Sequence, residues 1–172
     1  MNNKVRKMTY TALFTAIICV LTLIIKIPSV NGYLNLGDCG VYAAAVLGGP
    51  FIGAFAGGVG SAAADLISGY AAWILPTLII KGIMGGVVGY VAQKQSKEKL
   101  VSVKNLLAMI LMGIWMVIGY YLADVLVFGE TQSGFIAALV AMVPNVIQTT
   151  VGIVVANLLL AALSKTKIEP IR

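Results

Sequence analysis

Lys81 is the residue whose chemistry most needs an explanation. It lies inside an apolar run, Trp73–Ala92, eight positions after Trp73, which is roughly 12 Å along a helix. An ionisable group at that depth costs about 2.5–3.5 kcal/mol to insert. It needs a carboxylate partner or a polar cavity, unless its stem snorkels to the interface, a strained route from mid-helix. Trp73, Thr77 and Lys81 recur every four residues and share one helix face. An aromatic, a hydroxyl and a cation on one stripe suit a flat, polar heterocycle, although a tryptophan at a helix end also serves the interfacial aromatic belt. A second stripe, Asn145, Gln148, Thr149 and Gly152, has the spacing i, i+3, i+4, i+7; such amides either line a pocket or glue helices together. Met116, Tyr120 and Asp124 share a third face, with Tyr121 adjacent. Asp124 is a counter-ion for Lys81 or a cap for the outer end of its helix.

Catalytic constellations do not emerge. Histidine is absent, which removes the commonest general base and metal ligand. Cys19 and Cys39 have no metal-type spacing, so no metal, disulfide framework or cofactor is expected. No Walker A, HExxH or GxSxG pattern occurs. The run from Gly58 to Ala63 formally fits GxGxxA, but no strand precedes it and it falls within an apolar span. An intramembrane enzyme is therefore hard to build from these residues.

The elements that carry these stripes belong to lipid. Of the 172 residues, 60% are apolar and 10% charged, and the mean hydropathy is +0.99. A soluble domain carries about 45–50% apolar and about 25% charged residues. Six transmembrane helices are expected in a single domain, residues 1–172: Met8–Ile27, the short Asp38–Leu47, Phe51–Ser68, Trp73–Ala92, Lys104–Phe128 and Gly134–Ser164, the last kinked near Pro144. Pro28–Gly37, which includes Asn31 and Gly32, reads as a long first outer loop. The basic start (Lys4, Arg6, Lys7) resembles a signal peptide, but the apolar run after it is too long and lacks a clear small-x-small site, so it reads as a retained first helix. Of the twelve basic residues, all but Lys26 and Lys81 fall at the N-terminus, in the 94–104 loop or in the C-terminal tail. Both termini are then cytoplasmic. Asp38, Asp65, Asp124 and Glu130 map to outer ends, whereas Glu98 and Glu169 fall in cytoplasmic segments. Basic clusters confined to one face of the membrane argue against nucleic acid as a partner.

Small residues supply close-packing faces: Gly53, Gly57 and Ser61, then Gly82/Gly86 and Gly85/Gly89. Ala12 and Ala16 form another such pair on the first helix.

Asp38–Val91, read from Gly37 as GDCGVYAAAVLGGPFIGAFAGGVGSAAADLISGYAAWILPTLIIKGIMGG, resembles the S components of energy-coupling factor (ECF) transporters. The branch it is most similar to groups hydroxymethylpyrimidine, pyridoxine and related vitamin carriers. The resemblance extends over essentially the whole chain and implies a monomeric, multi-pass subunit in the plasma membrane of a prokaryote. Such a subunit captures a vitamin from outside and delivers it by toppling against the transmembrane coupling protein EcfT, with ATP hydrolysed by two partner subunits, EcfA and EcfA′. It also implies that Ala12 and Ala16 face the coupling protein. The vitamin pocket would lie between the first outer loop and helices four to six, with Tyr33, Asn35, Trp73, Lys81, Tyr120 and Asn145 as contacts beside the Thr77, Asp124 and Gln148 of the stripes above. The competing reading is a stand-alone, gradient-driven small-solute carrier, which would be expected to show internal repeats with paired broken helices; no convincing repeat is present.

Overall fold

The computed structural model describes residues 3–29, 32–96, 99–128, 132–166 and 170–171. Among them the chain forms five long helices: α1 (Asn3–Ile24), α2 (Gly37–Ile67), α3 (Ile74–Gln93), α4 (Val103–Phe128) and α5 (Gln132–Ser164). A two-stranded hairpin, β1 (Ile27–Pro28) with β2 (Tyr33–Leu34), joins α1 to α2, and a 3-10 turn at Ala71–Trp73 leads into α3. Each long helix is apolar and extended enough to cross a membrane. Apolar side chains surround the helices instead of marking one stripe, as expected where lipid replaces water on the outer side.

The expected second and third helices are the two halves of α2, two helices that meet at a kink. α2 runs through both and bends at Gly49, whose φ of 80° and ψ of −172° lie outside helical space. Glycine adopts a positive φ at little cost, and the following Pro50 has no N–H to continue the ladder. A side-chain carbon placed on Gly53 would stand 2.9 Å from Cα of Ala45, and one on Gly57 would stand 2.9 Å from Cγ1 of Val41. The two halves of α2 therefore fold back on each other, antiparallel. The short first half is sheltered by protein, with residues 37–47 buried, so its ends do not meet lipid as bare backbone.

Neighbouring segments alternate in direction from there. Gly40 packs on Ile18, and Gly60 packs on Thr15 and Ile18, so α1 is antiparallel to the first half of α2 and parallel to the second. Against α3, Gly53 meets Gly85 and Gly49 meets Gly89, backbone to backbone. Gly119 of α4 sits on Ile80, and Gly113 sits on Thr149 of α5. At the bend, the N–H of Ile171 donates to the carbonyl of Leu47 at 2.8 Å, tying the tail to α2.

The first loop is compact. Ile27 pairs with Leu34 and Pro28 with Tyr33, and the Ser29 N–H donates to the Gly32 carbonyl at 2.9 Å. Asn31, Lys97, Glu98, Glu130, Lys167, Glu169 and Arg172 lie outside the described residues.

Candidate ligand-binding site

Two polar layers are stacked at the end of the bundle remote from Gly49. The deeper one holds the buried charge. Lys81 of α3 is 2% exposed, which leaves no route for its ammonium to snorkel out. Its Nζ pairs with Oδ1 of Asp38, in the first turn of α2, and touches Sδ of Met116 at 2.9 Å. The other carboxylate oxygen of Asp38 accepts from Nε2 of Gln148 at 3.1 Å. Burying one of these charges alone would cost several kcal/mol, at roughly 3–5 kcal/mol for a broken pair; mutual pairing and the amide offset that cost.

Gln148 carries the contact outward. Its Oε1 accepts from the backbone N–H of Asn35 at 2.9 Å, and Nδ2 of Asn35 lies 3.4 Å away. Oδ1 of Asn35 in turn accepts from the N–H of Gly37 at 2.9 Å. An unbroken series of polar contacts thus runs from the Lys81–Asp38 pair to the segment that follows β2.

The outer layer is aromatic and hydroxylic. The Tyr33 hydroxyl donates to Oδ1 of Asp65 at 2.7 Å, and that of Tyr120 donates to Oγ1 of Thr77 at 3.1 Å. The Trp73 and Tyr120 rings are tilted by 57° with centroids 5.9 Å apart; those of Tyr33 and Tyr70 are 5.0 Å apart. Burial, reinforced by the bond to Asp65, pushes the Tyr33 phenol above its ordinary value, so it remains a donor at neutral pH. The Lys26 ammonium bonds the Ser68 hydroxyl and stands 5.1 Å over the Tyr33 ring.

These groups enclose a cavity of about 60 Å³. Tyr33, Asn35, Trp73, Thr77, Tyr120, Asp124, Asn145 and Gln148 all line it, joined by Ser29, Gly32, Leu34, Asp65, Tyr70, Ala141 and Pro144. Every residue singled out from the sequence for ligand contact therefore lies in this wall except Lys81, which sits below it. The counter-ion of Lys81 is Asp38 and not Asp124; the latter stands in the wall, 2% exposed. The remainder of the α5 stripe packs: Oγ1 of Thr149 lies 3.1 Å from the Tyr42 hydroxyl, and Gly152 abuts Asp38. Asp38, Asp65 and Tyr70 are the residues that spacing along the chain failed to select. All three are polar groups at or near helix ends, and that position is the one signal available for them. Ala12 and Ala16 are exposed on α1, each followed by an exposed apolar residue, Leu13 and Ile17.

The family described as "ECF-type riboflavin transporter, S component" matches residues 2–165. An uncharacterized protein of Pyrococcus woesei is 39% identical over 147 residues, 86% of this chain and 92% of its own. The thiamine precursor transporter HmpT of Lactococcus lactis subsp. cremoris (strain MG1363) is 29% identical over 170 residues, 97% of this chain and 93% of its own. Among solved structures, ThiT from Listeria monocytogenes superposes with a TM-score of 0.73 at 20% identity, covering 96% of this chain and 97% of that one. An S component for biotin from an ECF-type ABC transporter superposes with a TM-score of 0.65 at 22% identity, covering 96% and 93%.

Proposed function

Because this chain belongs to the family of ECF-type transporter S components, multi-pass membrane subunits for vitamin uptake, we propose that it captures a one-ring vitamin or vitamin precursor, with hydroxymethylpyrimidine and pyridoxine foremost. The observation that carries this reading is the aromatic cavity under the β1–β2 hairpin, about 60 Å³ as it stands. Opening the hairpin would admit one heterocycle between Trp73, Tyr120 and Tyr33; a three-ring flavin would require the wall itself to part. HmpT, a thiamine precursor transporter that is similar along nearly the whole chain, points to the same ligand size.

In this reading the wall residues bind the ring by stacking and hydrogen bonding. Lys81 acts beneath them as a positioning residue, holding Asp38 and Gln148, and through these Asn35. The basic groups Lys4, Arg6, Lys7, Lys94, Lys99, Lys104 and Lys165 would mark the cytoplasmic side, with the cavity opening outward. Delivery would follow from toppling against EcfT, driven by EcfA and EcfA′. Ala12 and Ala16 on the exposed face of α1 would form the dock in a prokaryotic plasma membrane.

Isothermal titration of the detergent-purified chain with hydroxymethylpyrimidine, pyridoxine and riboflavin tests this directly. Saturable one-to-one binding of a one-ring compound, with none of riboflavin, is expected. Binding of riboflavin alone would sink the one-ring reading.

A further inference from the structure

Asp65 ends the second half of α2 inside the cavity wall and is 6% exposed. One of its carboxylate oxygens accepts from Tyr33. The other, Oδ2, is buried and makes no hydrogen bond of good geometry with a described residue, although the Thr77 hydroxyl is close enough to donate weakly to the carboxylate. The one other buried side-chain atom in that state among the described residues is Oγ of Ser61, which does not line the cavity. A buried carboxylate oxygen so poorly donated to in a low-dielectric wall is costly, and native structures retain such groups where something else completes them.

The charge around the cavity points the same way. Asp65 stands in the wall, and among the described residues that line it there is no lysine or arginine. Lys81 is matched by Asp38, and Lys26 is held at Ser68 over the Tyr33 ring; both act on Asp65 from outside the wall.

Resting on the S-component reading above, we propose that Asp65 is the polar anchor of the ligand. It accepts a hydrogen bond at Oδ2 from an amino group or protonated ring nitrogen, so the site takes amine-bearing or cationic one-ring heterocycles and rejects carboxylates and phosphate esters. Trp73, Tyr120 and Tyr33 would then surround a ring whose N–H edge faces α2, and a charge-assisted bond of this kind is stronger than a neutral one. Phosphorylation of the ligand would place a dianion beside Asp65, so the phosphorylated form would have no affinity for this site.

The test compares the intact chain with Asp65→Asn, in which the Tyr33 contact has an acceptor but Oδ2 becomes a donor. Hydroxymethylpyrimidine and its phosphate ester are titrated calorimetrically. 4-Aminopyridine, a cation at neutral pH, and benzoate, an anion of similar size, are compared by ligand-induced shifts in thermal unfolding. The intact chain is expected to respond to the two amines and to neither anion. Asp65→Asn should unfold at the same or a higher temperature without ligand and lose roughly tenfold to a hundredfold in amine affinity. Equal responses to amine and anion, or an unchanged affinity in Asp65→Asn, would overturn the proposal. If hydroxymethylpyrimidine failed to bind while 4-aminopyridine still stabilised the chain through Asp65, the vitamin assignment would fall and the anchor would stand. Should Asp65→Asn fail to fold, the amine-against-anion contrast in the intact chain decides alone.

Discussion

The two ends of the α2–α3 pair are built on opposite principles. Near Gly49 the helices touch backbone to backbone: a side-chain carbon on Gly53 would stand 2.5 Å from the carbonyl oxygen of Gly85, and one on Gly89 would stand 2.6 Å from that of Gly49. Near Asp65 and Trp73 polar and aromatic side chains meet instead, with a cavity among them. The first end admits little adjustment, since its tightest contacts are main chain against main chain. The second is joined by side-chain bonds that exchange at modest cost. One pair of helices thus supplies a fixed base and an adjustable mouth, which is what a binder that must enclose its ligand requires.

The sharpest break of this contrast is Gly85→Leu. Its side chain would have to occupy the backbone of α2, so no monodisperse folded protein is expected on size-exclusion chromatography. A well-folded variant would show that the seam yields as readily as the cavity. Next in size is Lys81→Met, which strands Asp38 in the core. It should destabilise the chain by about 3–5 kcal/mol and abolish ligand binding, read by thermal unfolding and calorimetry. Adding Asp38→Asn to it should restore most of the stability. If the double variant were no more stable than the single one, the pair would not be what holds this layer. Gln148→Leu cuts the link between the pair and the loop. A loss of about 1–3 kcal/mol is expected, because an acceptor on Asp38 loses its donor, and the Asn35 amide should exchange faster with solvent while amides near Gly53 keep their protection. The smallest intrinsic effect belongs to Ala12→Leu, on a face that meets only lipid in the isolated chain. Stability should stay within about 0.5 kcal/mol and ligand affinity should not change, whereas co-purification with EcfT should fail.

Much of the site was legible because helical spacing predicts which residues share a face. Trp73 and Thr77 reach the cavity from one stripe, Tyr120 and Asp124 from another, and Asn145 and Gln148 from a third. The partner of Lys81 was not legible. Asp38 is 43 residues away, and only the fold-back of α2 at Gly49 brings its first turn beside the middle of α3. Composition could show that Gly48, Gly49 and Pro50 interrupt a helix. It could not show that the two halves would pack face to face as an antiparallel pair. Asp65 escaped for a different reason: its distinction is a missing bond, and a missing bond has no period.

The chain has two tryptophans, and they lie in different surroundings. Trp73 is in the cavity wall beside Tyr120. Trp115 of α4 is not in that wall, and its indole N–H donates to the carbonyl of Ile80 at 3.2 Å. Intrinsic fluorescence therefore divides into one emitter that a bound ring would contact and one anchored to the scaffold. Trp115→Phe would leave a chain whose tryptophan light comes from the candidate site alone, so that capture of a ligand there would be visible without any label.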